Sequence, residues 1–141
     1  VRVLKPQLFV MENVMGILNM RNGETIKDII RAFRDEGYHV GNPLKLNSMY
    51  FGVPQKRKRV FIIGSLDHTL EFEQPHSLFD DDDAQLPKPI TVRDAIGNLP
   101  AIDNGGGSLE MEWELTTPTL YDLLMQRSLT FEEFYHRCKK V

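Results

Sequence analysis

The stretch Leu8-Phe9-Val10-Met11-Glu12-Asn13-Val14 runs four apolar residues without a break into a carboxylate and an amide. A short apolar run of this kind reads as a strand buried on both faces. Ligands of open α/β sheets collect outside the carboxyl ends of such strands, which makes Glu12 a candidate site residue. Read alone, a Glu after a strand is a solvated or capping residue, so its meaning depends on what the remaining chain places near it.

Downstream, Val14 to Met20 is apolar but broken by Gly16 and Asn19, a pattern that fits a short helical turn on the sheet or a mobile loop. Asn22-Gly23 is a turn or cap signal, and Ile26, Ile29, Ile30 and Phe33 then recur at helical spacing from Glu24 to Glu36 until Gly37 stops the helix. Its other face carries Lys27, Asp28, Arg31, Arg34 and Asp35, as expected of a helix that covers a sheet. Tyr38, Val40, Leu44 and Leu46 keep an approximate period of two, interrupted by Gly41 and Pro43, which predicts a strand with an irregular middle. A Gly- and Pro-punctuated loop from Asn47 to Pro54 leads through Gln55-Lys56-Arg57-Lys58-Arg59 into Val60-Phe61-Ile62-Ile63-Gly64, a second buried-strand candidate. Strand, helix, strand, loop and strand in this order make an α/β half-sheet.

The 141 residues suffice for one domain with a core, or for one piece of a larger one. Charge is unevenly placed. Residues 1–60 hold 11 Lys and Arg against 5 Asp and Glu, a balance of +6, whereas residues 61–141 hold 6 against 15, a balance of −9. This asymmetry points to an anionic partner for the N-terminal part. A single cysteine, Cys138, excludes an intrachain disulfide and a Cys-rich metal site and fits a reducing compartment. No apolar run approaches bilayer length and no signal-peptide pattern opens the chain, so a soluble intracellular protein is expected. Beginning at Val1 and not Met, the chain is expected to start at a processed or otherwise defined boundary.

Beyond Ser65 the texture changes. The segment from Pro75 to Pro89, with Asp80 to Asp83 and three prolines, reads as a solvated connector; the Gly and terminal Glu of an EF-hand loop are missing. Thr91 with Asp94 three residues on predicts a capped short helix from Val92 to Gly97, closed by Leu99-Pro100. Asn104-Gly105-Gly106-Gly107-Ser108 lacks a preceding strand and a following Lys-Ser/Thr, so it reads as a flexible loop and not as a phosphate cradle. Helices are expected from Leu120 to Arg127 and from Phe131 to Lys140, the latter opened by a Thr130 and Glu133 capping box. Phe131, Phe134, Tyr135 and Cys138 are spaced for one face, which makes Cys138 a buried thiol and not a nucleophile.

Two motifs now combine. Phe9-Val10-Met11-Glu12-Asn13-Val14 resembles the Glu-Asn-Val motif of the DNA (cytosine-5) methyltransferase family, and Gly52-Val53-Pro54-Gln55-Lys56-Arg57-Lys58-Arg59-Val60 resembles its Gln-x-Arg-x-Arg motif. Thr91 to Pro100 is similar to a segment that commonly follows in bacterial members, so the resemblance spans about residues 1–100. It implies an α/β fold, the second half of a Rossmann-like methyltransferase sheet, with residues 1–70 as a partial catalytic domain and residues 71–141 as connector and start of a target-recognition region. The implied activity is methyl transfer from S-adenosyl-L-methionine to C5 of a flipped cytosine in double-stranded DNA, of restriction-modification type. The implied location is the bacterial or archaeal cytoplasm, associated with the nucleoid, with no membrane and no metal.

Cytosine is too weakly electrophilic at C6 for direct attack, so a thiolate adds there while a donor polarises N3 of the flipped base. A protonated carboxyl serves, and it needs a closed, dry pocket that favours its neutral form. By resemblance that group is Glu12, with Asn13 shaping the pocket and Gln55 among the substrate-binding residues, while Arg57 and Arg59 bind the flipped nucleotide, one reaching the base O2 or its phosphate and the other holding the pocket together, since guanidinium forks suit carbonyl and phosphate oxygens. Lys56 and Lys58 alternate to the other face of an extended chain. Taken alone, the basic cluster reads as a solvated patch. The family's Pro-Cys-Gln nucleophile and its Gly-rich S-adenosylmethionine loop are missing from these 141 residues. A second polypeptide or a missing segment is therefore expected to supply the cysteine. Two other readings stand beside this one: a non-catalytic DNA-binding or interaction remnant of the fold, and a piece of a tRNA cytosine methyltransferase.

Overall fold

A computed structural model of the protein describes residues 1–111 and 117–139. The chain divides into two compact units, one of Val1–Asn47 with Arg57–His76 and the other of Ser48–Lys56 with Ser77–Val141.

The first unit is a four-stranded antiparallel sheet with a helix on one face. Its strands are β1 (Leu8–Val14), β2 (His39–Val40), β3 (Leu44–Asn47) and β4 (Lys58–Ser65), and its helix is α1 (Glu24–Asp35). β4 is the hub: β1 pairs along one side, and β2 and β3 pair with it on the other. The broken strand expected from Tyr38 to Leu46 is resolved as β2 and β3, because the chain leaves the ladder at Asn42 and Pro43, after the Gly41 amide donates to the Ile63 carbonyl at 3.2 Å.

Registers decide the faces. Phe9, Met11 and Asn13 pair with Gly64, Ile62 and Val60, on the face that α1 covers. Here Phe9, Ile17, Ile26, Tyr38, Val40, Val60 and Ile62 form the core, flanked by Ile29, Ile30 and Phe33 of α1. A one-turn 3₁₀ helix, Met15–Leu18, contributes Ile17, so the segment after β1 takes the helical alternative. Gly37, at φ +92°, ends α1 with the Gly37 amide donating to the Arg34 carbonyl at 2.9 Å and the Tyr38 amide to the Phe33 carbonyl at 3.2 Å. Only a residue at ease in the left-handed region closes a helix this way.

β1 departs from expectation. A strand buried on both faces is predicted, yet Leu8, Val10 and Val14 are 47%, 57% and 52% exposed. They share the face of Glu12, which none of the helices of the first unit covers.

The second unit packs Phe79, Leu129 and Phe134 at its centre, with the Phe79 and Tyr135 rings edge to face at 5.6 Å. Its helices are α2 (Val92–Ile96), α3 (Leu120–Met125) and α4 (Phe131–Cys138). Thr91, Thr119 and Thr130 open them with reciprocal capping boxes to Asp94, Asp122 and Glu133. Lys140, the expected last residue of the final helix, lies outside the described residues. Phe131 is 43% exposed while Phe134 is buried, so α4 buries a narrower stripe than its four-residue spacing suggests.

Candidate active site

Glu12 lies inside β1 and not past its end, because pairing continues through Asn13 and Val14. Glu12 stands opposite Phe61 and Val14 opposite Arg59, which makes Glu12 and Arg59 diagonal cross-strand neighbours on one face. The Arg59 Nε reaches the Glu12 Oε1 at 2.7 Å, with the arginine side chain 22% and the glutamate side chain 46% exposed. Arg59 Nη1 also donates to the Lys58 carbonyl at 2.9 Å, so the guanidinium is fixed at two points. An ion pair this open adds little to stability; what it provides is orientation of the carboxylate.

The remaining site candidates are distributed differently. Asn13 alternates to the core side of the sheet, where its Oδ1 accepts from the Val14 amide at 2.8 Å, so Glu12 and Asn13 do not share a face. Arg57 is exposed just ahead of β4. Gln55 belongs to the second unit. There it lines a cleft of about 220 Å³ with Met49, Pro54, Lys56 and Asp81, and its carbonyl accepts from Ser48 Oγ at 2.5 Å. The structure therefore brings together Glu12 and Arg59, one residue from each motif.

A larger cavity, about 850 Å³, lies in the second unit, walled by Ile90, Leu120, Tyr121 and Phe134 and rimmed by Asp80 to Asp83. Cys138 borders it, and burial, reinforced by the Asp94 carboxylate, pushes its thiol pKa up. A raised pKa lowers the thiolate fraction, although Cys138 is half-buried and not the buried thiol its spacing predicts. Among the described residues no three His, Cys, Asp or Glu side chains group to hold a metal ion, and no helix is long and apolar enough to cross a membrane.

A family model described as C-5 cytosine-specific DNA methylase matches residues 1–133. The chain belongs to this family. It is 43% identical over 96 residues to the type II methyltransferase M.MthTI of Methanothermobacter thermautotrophicus, covering 67% of this chain and 26% of that protein. With the type II methyltransferase M.AgeI of Thalassovita gelatinovora it shares 31% identity over 159 aligned positions, covering all of this chain and 36% of the relative. Among solved structures, a prophage-encoded E. coli chain described as a DNA modification methyltransferase superimposes with a TM-score of 0.59 at 26% identity. The match covers 88% of this chain and 36% of the other. The chain thus spans between about a quarter and just over a third of the length of these relatives, and its α/β sheet is part of a methyltransferase fold.

Proposed function

We propose that this chain is part of a DNA cytosine-5 methyltransferase of restriction-modification type, in which Glu12 hydrogen-bonds N3 of a flipped cytosine and Arg59 holds Glu12 in place. The observation that carries this reading is the Glu12 and Arg59 contact at 2.7 Å, which joins the two family motifs across β1 and β4. Arg57, exposed and next to β4, binds the nucleotide through its oxygens. Asn13 supports this geometry through the backbone at Val14 and not by touching the base. Residues 71–141 are the connector and the start of a target-recognition region.

S-adenosyl-L-methionine supplies the methyl group in this reading. The residues present do not fit it: Gly105 and Gly107 take positive φ in a loop that follows no strand and opens no helix, so no step is drawn through the cofactor. The nucleophilic thiolate comes likewise from a segment or polypeptide beyond these residues. Leu8, Val10 and Val14 support that division of labour, because the β1 edge of the face that presents Glu12 is apolar and exposed. Covering that face with protein and flipped base excludes water from the carboxyl, as proton donation to N3 requires.

The test mixes the purified chain with a family polypeptide that carries Pro-Cys-Gln and the Gly-rich loop, then measures methyl transfer to duplex DNA. Transfer is expected only from the mixture, and Glu12→Gln is expected to abolish it while leaving the two polypeptides associated. Methylation by the chain alone, or an unimpaired Glu12→Gln mixture, refutes the proposal.

A further inference from the structure

The first unit contains ten Lys and Arg residues, seven in Val1–Asn47 and three in Arg57–His76. Six of them are ion-paired with Glu12, Glu24, Asp28 or Glu36, and Arg34 donates to the Val40 carbonyl at 3.2 Å. The side chains of the remaining three, Lys45 in β3, Lys58 at the start of β4 and Arg57 just ahead of it, have no acidic or hydrogen-bonding partner among the described residues.

Arg57 is assigned to the nucleotide above; the two lysines are not. Lys45 stands opposite Val60 and Asn47 opposite Lys58, so Lys45 and Lys58 are diagonal neighbours on the same face. That face is the reverse of the one carrying Arg59 and Glu12. The Cβ atoms of such a pair lie about 7 Å apart, and both side chains are exposed. Two ammonium groups placed this way repel each other unless an anion sits between them. Asn47, beside Lys58, is 6% exposed, and neither of its carboxamide atoms has a protein partner. This end of the sheet therefore collects two exposed cations beside a buried amide, with no carboxylate within 4 Å of either ammonium among the described residues.

We propose that Lys45 and Lys58 together hold one backbone phosphate of the DNA, on the side of the sheet opposite the Glu12 and Arg59 pair. The inference rests on the DNA reading above and adds a positioning role to it. Arg59 faces the base, and the lysine pair sets where the strand lies relative to it. Lysine serves here as a mobile point charge, suited to a phosphate met from solvent, where a bidentate fork is not needed. Such contacts fix register on the duplex without reading sequence.

The experiment measures binding of the 141-residue chain to a fluorescent duplex by anisotropy across a salt series. The Lys45→Ala and Lys58→Ala double variant is expected to flatten the slope of log K against log salt by about 0.9, the value for one lost phosphate contact. Each single substitution should give an intermediate slope, and Lys45→Arg with Lys58→Arg should keep the wild-type slope. Lys27→Ala, whose lysine is already paired with Glu24 at 2.8 Å, is the control and should change nothing. Circular dichroism checks that each variant is folded. A wild-type slope in the double alanine variant overturns the pair and leaves the DNA reading standing, provided the wild-type chain binds duplex in a salt-dependent way. A wild-type chain without such binding overturns both.

Discussion

Gly64→Ala tests the register on which the whole site depends. Gly64 pairs with Phe9 across β4 and β1, and a Cβ built there would meet the Phe9 ring at 2.4 Å from Cε1 and 2.6 Å from Cζ. Ordinary contact begins about 1 Å further out, so the ring must retreat by that much. It is hemmed in by Phe33 at 4.3 Å and Tyr38 at 5.2 Å between centroids. Overpacking of this kind costs about 1–3 kcal/mol. Replacing Gly by Ala returns roughly 0.5–1 kcal/mol by restricting the unfolded chain. The net loss is about 0–2.5 kcal/mol, centred on roughly 1 kcal/mol, which for a unit of this size lowers Tm by up to about 20 °C. Urea and thermal unfolding followed by circular dichroism measure it. Combining the substitution with Phe9→Leu makes room for the methyl, so the two changes should be coupled by at least about 0.5 kcal/mol instead of adding. Strictly additive changes refute the pairing of Phe9 with Gly64. With it would fall the diagonal contact of Glu12 and Arg59, since a slip of one residue sends Glu12 to the opposite face.

Two further outcomes follow from the capping boxes and their carboxylates. Thr130→Ala removes the hydroxyl that accepts from the Glu133 amide at 3.2 Å and should cost about 1 kcal/mol in urea unfolding, with Thr130→Ser restoring most of it. Acid should destabilise the fold: the Lys5 ammonium, then Arg2, holds the Glu36 carboxyl below its ordinary value, and the Thr119 and Thr130 amides do the same for Asp122 and Glu133. Because these values are depressed on folding, the folded chain binds fewer protons than the unfolded one, so the stabilisation is complete near neutrality. It is lost as pH falls from the ordinary carboxylate values of 4.5 and 3.8 through the depressed ones. An unfolding midpoint that stays constant down to about pH 3 would contradict those contacts.

Local rules accounted for the elements whose determinants are close in sequence. The helix from Glu24 ends at Gly37 because a left-handed residue is required there, and the threonine caps three residues ahead of Asp94 and Glu133 form the expected boxes. Expectation failed where the determinant was distant. Four apolar residues in a row implied burial on both sides, yet Val10 is 57% exposed, because a run of apolar residues does not say how many layers will cover it. Likewise Phe131 is on the right stripe of α4 but remains 43% exposed, since spacing assigns a face and not the width of the surface that meets it.

The sequence by itself determined the α/β class, the order of its elements and the identity of both motifs, since periodicity, turn residues and motif chemistry are local properties. Only the tertiary structure decided which of those residues meet. Arg59 and not Arg57 contacts Glu12, Asn13 turns to the core, Gln55 falls in the second unit, and Lys45 becomes a neighbour of Lys58. The physical reason is strand register. Side chains alternate across a strand with a period of two, so one choice of pairing between β1, β3 and β4 settles every cross-strand contact at once, and nothing within any single strand encodes that choice.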